Sequence, residues 1–205
     1  YYMCGIVGVL HNDAYRVILD GLIMLQNRGY DSAGISVDNG GILTEKIAST
    51  DELDSIDYLK DKFLKGSLGI GHTRWATHGS KTTVNSHPHV SNCGSISLVH
   101  NGIIENFSLL KNQIVETGIN LNSDTDTEAI AHLITLYLKS GMGSYEAIRA
   151  TTEDIRGSYA LAIIIRSEPN KLYAVRKGSP LAIGSSESKN YIGSDGYSLG
   201  NYCNE

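Results

Sequence analysis

The apolar positions of the chain fall into short blocks with two different spacings. Some blocks are continuous or alternating apolar runs typical of β-strands, and others repeat at the spacing of an amphipathic helix. Strands are predicted at residues 4–10, 34–37, 42–47, 67–73, 95–100, 158–165, 171–175, 181–183 and 190–193. Helices are predicted at 15–27, 106–117 and 144–155, and after capping-box sequences at 49–52 and 125–128, running to about residue 64 and to residue 140. Because strands and helices come in groups without strict alternation, we expect an α+β fold with largely antiparallel sheets.

Composition and charge are those of a globular chain that forms one domain. The 205 residues are 41% hydrophobic and 19% charged, and the net charge of −5 provides no basic surface for nucleic acid. No apolar run reaches the length of a membrane span, and the first residues do not resemble a secretory signal. Cys4, Cys93 and Cys203 are too widely spaced for a disulfide framework or a CxxC metal site. We therefore expect a cytoplasmic protein that binds neither nucleic acid nor membranes.

Cys4 lies almost at the start of the chain, directly before a strand-like apolar run. It is either a buried apolar residue of that strand or an N-terminal nucleophile. An α-amine has a pKa of about 7.7–8.0 and can accept the thiol proton near neutral pH, which replaces a separate histidine base.

The segment 74–89 is too long and too polar for a simple connection between strands. It is either a surface loop or a functional loop. Its histidines, together with neighbouring ones, raise the alternative of a metal site formed by His72, His78, His87, His89 and His100. No HExxH or similar spacing supports that alternative.

Two short segments further along the chain also carry polar chemistry. Asn101 and Gly102 follow a predicted strand and form either a tight turn or a pair of hydrogen-bond donors for an oxyanion. Asp126 lies in the first turn of a predicted helix, where an acidic side chain suits the helix dipole and is also able to pair with a ligand ammonium.

Eight motifs, in this order, resemble the glutaminase (type 2 glutamine amidotransferase) domains of the glutamine–fructose-6-phosphate aminotransferase, or glucosamine-6-phosphate synthase, family. They are CGIVG at 4–8, LQNRGYDSAG at 25–34, GIGHTRWATHG at 69–79, NSHPH at 85–89, VHNGIIENF at 99–107, SDTDTE at 123–128, RGSYALA at 156–162 and GSPL at 178–181. The resemblance implies an N-terminal-nucleophile hydrolase fold, a four-layer α/β/β/α sandwich, and hydrolysis of the side-chain amide of L-glutamine without a cofactor or metal. In the family, the released ammonia passes to a sugar-phosphate isomerase domain that acts on fructose 6-phosphate.

The same resemblance implies which residues react. Cys4 is expected to attack the amide and to form a γ-glutamyl thioester, with its own α-amine as base and acid. Asn101 and the main-chain N–H of Gly102 are expected to form the oxyanion hole. Arg28 matches a residue close to the nucleophile.

It also implies how glutamine is bound. Arg74 is expected to bind the α-carboxylate in a bidentate manner, and Asp126 the α-ammonium. Trp75 matches a residue of the loop that closes over glutamine, and Thr77 and His78 match residues that line the pocket.

Tyr1, Tyr2 and Met3 precede Cys4, whereas in the family the nucleophile becomes the first residue when the initiator Met is removed. We interpret residues 1–3 as a cloning remnant or a propeptide and residues 4–205 as the glutaminase domain. The isomerase domains are expected in a longer parent chain or in a partner. While residues 1–3 remain attached, the nitrogen of Cys4 is an amide with no useful basicity.

Three other interpretations are compatible with these residues. One is the glutaminase domain of another N-terminal-cysteine amidotransferase, such as glutamine phosphoribosylpyrophosphate amidotransferase. Another is a glutamine-binding module that is not catalytic because Cys4 stays blocked. The third is a zinc hydrolase that uses the histidines.

Overall fold

The computed structural model of the chain describes residues 4–26, 31–75, 80–186 and 189–199. The strands in these ranges are β1 Gly5–Leu10, β2 Ser32–Asp38, β3 Ile42–Ala48, β4 Leu68–Arg74, β5 His89–Val90, β6 Ile96–Ile104, β7 Gly157–Ile165, β8 Leu172–Lys177, β9 Ala182–Ser186 and β10 Lys189–Gly193. The α-helices are α1 Ala14–Met24, α2 Ser55–Lys60, α3 Phe107–Glu116, α4 Asp126–Lys139 and α5 Ser144–Asp154, and a 3₁₀ turn spans Tyr197–Leu199. Within the same ranges, none of the helices combines the length and the apolar character needed to cross a membrane.

Two sheets form the centre of the fold. One has six strands in the order β3-β2-β4-β1-β10-β9, and the other has four in the order β5-β6-β7-β8. All of the strand pairings in these two sheets are antiparallel. The expected α+β fold with antiparallel sheets is therefore confirmed.

The alternation of side chains along the central strands produces the layers. In β7, Tyr159, Leu161 and Ile163 pack into a core with α3, α4 and α5. The intervening Ala160, Ala162 and Ile164 form a second core with Ile6 and Ile70 of the six-stranded sheet. A third core joins the other face of that sheet to α1, through Val7, Val9, Ile18 and Leu22. The order of layers is helices, sheet, sheet, helices, which confirms the expected four-layer α/β/β/α sandwich.

Helix α2 begins later than the sequence predicted. The predicted capping box at 49–52 is wrong, because the hydroxyl of Thr50 accepts the N–H groups of Glu52 and Leu53 in a turn that is not helical. The helix begins after Asp54, whose Oδ1 accepts the N–H groups of Ile56 at 2.8 Å and Asp57 at 3.2 Å. A carboxylate in the N-cap position satisfies donors that the first turn leaves free.

Helix α4 begins where predicted, but its predicted capping box at 125–128 is also wrong. Thr125 is the N-cap residue, yet its side chain makes no capping hydrogen bond. The Glu128 carboxylate reaches back to a different residue and accepts the N–H and the hydroxyl of Ser123, both at 2.6 Å. This arrangement holds the chain that leads into α4, and therefore the position of Asp126.

Strand β6 extends beyond its predicted end. Asn101 and Gly102 lie inside the strand, which continues to Ile104, so their interpretation as a simple turn is wrong. Gly102 has a φ of +127°, and a Cβ at this position would lie 2.0 Å from the carbonyl oxygen of Ser158. Only glycine combines this backbone conformation with so close an approach of β7.

We expect Gly102→Ala to lower the free energy of unfolding by about 3 kcal/mol, because the new Cβ adds a backbone clash to the strain of a positive φ. Gly118→Ala is the matched control, since Gly118 has a φ of +83° and a Cβ added there would meet no atom within 4 Å. The control should lose only about 1 kcal/mol. Urea unfolding of both variants measures the difference, and equal losses would contradict the steric argument.

Candidate active site

A cavity of about 480 Å³ lies where β1 begins and where β4 and β6 end. It contains residues that are far apart in the sequence and that come from both sheets and from the first turn of α4. Six of the nine residues expected to act in catalysis or glutamine binding line it, namely Cys4, Arg74, Trp75, Asn101, Gly102 and Asp126. The histidines considered as metal ligands contribute His72, His87 and His100 to the same lining.

The two-residue period of the strands explains why polar side chains meet in this cavity. In β4, Ile70 belongs to the core between the sheets, so His72 and Arg74 lie on the same face of the strand. In β6, Val99 belongs to the same core, which places Asn101 on the face that meets the six-stranded sheet. The layer between the sheets is therefore apolar along most of its length and becomes polar at the cavity.

Cys4 lies directly before β1, and its Sγ accepts a hydrogen bond from the main-chain N–H of Trp75 at 3.3 Å. Burial raises the pKa of the Cys4 thiol, and the opposing effects of the Trp75 N–H and the Arg74 charge do not cancel it. The thiol is therefore protonated at neutral pH. Among the other residues that the structure describes, its hydrogen-bond partner is the main chain of Trp75. A nucleophilic role consequently requires a proton acceptor other than these groups.

Asn101 faces the main chain of Cys4 across the two sheets. Its Nδ2 donates to the carbonyl oxygen of Cys4 at 2.7 Å and to Oγ of Ser194 at 3.2 Å. Its Oδ1 lies 2.9 Å from Nε2 of His72. Ser194 also accepts the N–H of Ile6 at 2.6 Å, which ties it to β1. The side-chain amide is thus held beside Cys4 by three groups of the opposite sheet and its adjoining chain.

Charges of opposite sign line the same cavity. Asp126 accepts the main-chain N–H of Ile104 at 2.9 Å through Oδ2, and its Oδ1 lies 3.4 Å from Nδ1 of His100. Burial opposes ionisation of Asp126, but its contacts with His100, Ile104 and Thr127 outweigh burial and lower the pKa of the carboxyl. Arg74 is 8% exposed and supplies the positive charge. A ligand that carries both an anion and a cation therefore fits this cavity.

Three buried histidines pack against one another at the cavity, and two of them, His72 and His87, line it. The rings of His72 and His87 are stacked with centroids 4.3 Å apart, and those of His87 and His89 meet edge to face at 4.9 Å. Burial lowers the pKa of His72 and of His89 to about 3, and it holds the pKa of His87 well below its ordinary value. No group of three or more His, Cys, Asp or Glu within the described ranges is arranged to hold a metal ion. The zinc interpretation has no ligand set there.

The lowered pKa values of these three histidines predict that the protein loses stability in weak acid. In the unfolded chain they take up protons below about pH 6.5, whereas in the folded chain they stay neutral to much lower pH. The unfolded state then binds more protons, so the free energy of unfolding should fall as the pH drops from about 6.5 to about 4.5. Each histidine contributes a slope of up to about 1.4 kcal/mol per pH unit. Urea unfolding across this range tests the slope. His89→Gln should reduce the slope by the contribution of one histidine. A stability that does not change across this range would contradict the prediction.

The three remaining predicted site residues fall in parts of the chain that the structure does not describe. Arg28, Thr77 and His78 lie outside the described residues, as do residues 1–3 and Cys203. Cys93 is described, and it is a free, exposed thiol that does not line the cavity.

The sequence did not indicate two contacts of the site. The sequence suggested His72 only as a metal ligand. Its position two residues after Ile70, on an apolar face of the strand, could have indicated a buried polar contact. Ser194 carried no such signal, because its partner Asn101 is 93 residues away.

Comparison with known sequences identifies the family. The family described as "Glutamine amidotransferase domain" matches residues 72–199, which is more than half of the chain. Glutamine–fructose-6-phosphate aminotransferase [isomerizing] of Rhizobium meliloti (strain 1021) is 41% identical over 99% of this chain, and that of Thermococcus kodakarensis is 45% identical over 99%. The alignments cover 33% and 34% of these relatives, so the chain spans about a third of their length.

Solved structures agree with this assignment. Glutamine phosphoribosylpyrophosphate amidotransferase from B. subtilis superposes with a TM-score of 0.80 at 28% identity, over 96% of this chain and 43% of that chain. A glutamine aminotransferase class-II domain protein from Silicibacter pomeroyi shares the fold, with a TM-score of 0.59 at 12% identity over 93% of this chain and 87% of that chain. On the evidence of the family match, supported by the fold, the chain belongs to the glutamine amidotransferase domain family.

Proposed function

We propose that this chain is the glutaminase part of a glucosamine-6-phosphate synthase and hydrolyses L-glutamine to glutamate and ammonia. The observation that carries the proposal is the contact of Asn101 Nδ2 with the main chain of Cys4 at 2.7 Å. This contact supports the proposal because it joins an amide donor to the main chain of the residue that carries the thiol, in a cavity that also offers a cation and an anion. The 41% and 45% identity to glutamine–fructose-6-phosphate aminotransferases, against 28% to the phosphoribosylpyrophosphate enzyme, favours the hexosamine branch.

In the proposed reaction, the free α-amine of Cys4 accepts the thiol proton while Sγ attacks the side-chain carbonyl carbon of glutamine. Asn101 Nδ2 and the N–H of Gly102 stabilise the oxyanion that forms. When the tetrahedral intermediate collapses, the protonated amine returns its proton to the leaving nitrogen, and ammonia and a γ-glutamyl thioester result. Water, deprotonated by the same amine, then attacks the thioester and releases glutamate and the thiol.

The two ends of glutamine are recognised by opposite charges. Arg74 binds the α-carboxylate, and the ionised Asp126 binds the α-ammonium. The family resemblance supports three further assignments. It assigns Trp75 to the segment that closes over the substrate, Thr77 and His78 to the lining of the pocket, and Arg28 to a role close to the nucleophile.

The proposal includes a destination for the ammonia. Because the chain spans about a third of its curated relatives, we assign the sugar-phosphate isomerase activity to a further part of a parent chain or to a partner. That part receives the ammonia and uses fructose 6-phosphate as the acceptor. A reactive thiol at Cys4 suits a reducing compartment, and we therefore place the reaction in the cytoplasm.

The test measures ammonia release from L-glutamine by the chain processed to begin at Cys4, together with labelling by an electrophilic glutamine analogue. We expect turnover, and covalent labelling of Cys4 that excess glutamine prevents. Cys93→Ser is the control, since its exposed thiol lies outside the cavity and its loss should change neither result. Labelling of Cys4 without turnover would instead support the glutamine-binding module that is not catalytic.

We expect Asp126→Asn to raise the KM for glutamine roughly 10- to 100-fold with a smaller change in kcat, because a charged hydrogen bond to the α-ammonium is lost. The amide keeps an oxygen that is able to accept the N–H of Ile104, so the fold is preserved. Asp57→Asn is the control, since Asp57 also lies in the first helical turn but is exposed and outside the cavity. Steady-state kinetics of both variants measure the effect, and an unchanged KM in Asp126→Asn would contradict the assigned role.

A further inference from the structure

The ring of His72 makes two hydrogen bonds through a single nitrogen. Its Nε2 lies 3.1 Å from the carbonyl oxygen of His100 and 2.9 Å from Oδ1 of Asn101. The side chain is 1% exposed, so no bulk water competes for these contacts. The other ring nitrogen, Nδ1, is buried without a hydrogen-bond partner within the described part of the chain.

The carbonyl oxygen of His100 determines which nitrogen of His72 carries the proton. A carbonyl oxygen only accepts hydrogen bonds, so Nε2 must be the protonated nitrogen. The buried Nδ1, which has no acceptor, is then the unprotonated one. Burial lowers the pKa of His72 to about 3, which keeps the ring neutral, and the hydrogen bond to the carbonyl oxygen of His100 selects the tautomer.

The same N–H, together with the carbonyl oxygen of Cys4, determines how the amide of Asn101 is oriented. An Nε2–H group accepts nothing, so it must face the oxygen of the amide and not its nitrogen. The NH₂ group of Asn101 is thereby turned toward the carbonyl oxygen of Cys4 and the hydroxyl of Ser194. The Ser194 hydroxyl is able to donate or to accept, and it therefore gives no preference between the two orientations of the amide.

The contact with His72 becomes more important during the proposed reaction. Asn101 Nδ2 has two hydrogens, and both are used, by Cys4 and by Ser194. A hydrogen that turns toward the oxyanion must leave one of these two acceptors. The bond between His72 and Oδ1 lies at the other end of the amide and does not need to break. It is therefore the contact that is able to hold the amide plane both before and after the oxyanion forms.

We propose that His72 is a positioning residue, which aims the side-chain NH₂ of Asn101 at the oxyanion through its Nε2–H group. This inference rests on the proposed glutaminase function, because it presumes that Asn101 stabilises the oxyanion. A donor that is fixed before the reaction contributes to the transition state without a reorganisation cost. His72 lines the cavity, but its Nε2–H group is used by His100 and Asn101, so its contribution is to kcat and not to the binding of glutamine.

The kinetic test compares three variants of the chain processed to begin at Cys4. His72→Leu removes the donor, and we expect kcat to fall about 10- to 100-fold while KM stays within about twofold. His72→Gln presents an amide N–H close to the position of Nε2 and should recover most of that loss. His132→Gln is the matched control, because His132 is equally buried, at 1% exposed, and does not line the cavity, and a glutamine there keeps an N–H group for its partner Glu128. We expect its kcat to equal that of the unsubstituted protein.

Two kinetic outcomes separate failure of the inference from failure of the proposed function. If the unsubstituted protein hydrolyses glutamine and His72→Leu has the same kcat, the positioning role is wrong. If the unsubstituted protein hydrolyses no glutamine, the proposed function itself is wrong.

A spectroscopic measurement tests the inference without activity and without a variant that must fold. The ¹⁵N chemical shifts of the His72 ring distinguish a protonated from an unprotonated nitrogen. We expect a neutral ring with the proton on Nε2 throughout the neutral pH range, and a scalar or through-space correlation of that proton with the side chain of Asn101. A proton on Nδ1, or titration of the ring near neutral pH, would overturn the inference.

Discussion

Cys4→Ala is expected to lower glutamine hydrolysis by roughly 10⁴-fold or more, because no other group of the site replaces the sulfur that forms the thioester. The measurement is ammonia release under saturating glutamine, with the chain processed to begin at residue 4. Binding of glutamine, measured by calorimetry, should persist in this variant, since Arg74 and Asp126 are unchanged. The thermal stability should also change little, because the substitution removes one partly buried sulfur at the start of β1.

This combination of results is specific to a nucleophile. Loss of binding together with activity would instead indicate that Cys4 holds the shape of the cavity. Full activity in Cys4→Ala would contradict the proposed mechanism. Cys93→Ala provides the comparison for removal of a thiol elsewhere in the chain, and it should leave the rate unchanged.

The second large effect concerns the nitrogen of Cys4. The form that retains Tyr1, Tyr2 and Met3 is expected to hydrolyse glutamine about 10²- to 10⁴-fold more slowly than the form that begins at Cys4, because an amide nitrogen cannot act as the base. Burial already holds the pKa of the thiol above its ordinary value, so the thiol does not ionise unaided. Intact mass establishes which form is present, and ammonia release gives the rate of each.

A chemically blocked form separates loss of the base from crowding by the extra residues. Acetylation of the Cys4 amine removes its basicity and adds only a small group. We expect the acetylated form to be as slow as the form with residues 1–3. If the acetylated form is fast and the longer form is slow, steric crowding explains the difference and the α-amine is not the base.

The layers of the fold were predictable because they depend on local periodicity. The run from Ser158 to Ile165 predicted a strand, and its small Ala160 and Ala162 face the other sheet while larger residues face the helices. The start of α2 was not predictable in the same way. Ser49 to Glu52 has the composition of a capping box, but its hydrogen bonds close a turn and leave the cap to Asp54.

The candidate site was only partly predictable from the sequence. The polar character of Arg74, Asn101 and Asp126 was visible, but their meeting in one cavity depends on the pairing and stacking of two sheets. The resemblance to a family supplied that grouping, whereas spacing alone left each residue with an alternative explanation. The contact between His72 and Asn101 joins two strands of different sheets, and no local pattern in either strand specifies its partner.

Cys4 leads into the six-stranded sheet, whereas Asn101 belongs to the four-stranded one. The apolar layer between them, with Ile6, Val99 and Ala162, therefore acts as a spacer whose thickness sets how far the amide reaches toward the sulfur. An added or removed methyl group in that layer changes this reach without altering any residue of the cavity. The distance between the Asn101 amide and the Cys4 sulfur is therefore set by the packing of interior side chains that lie outside the cavity.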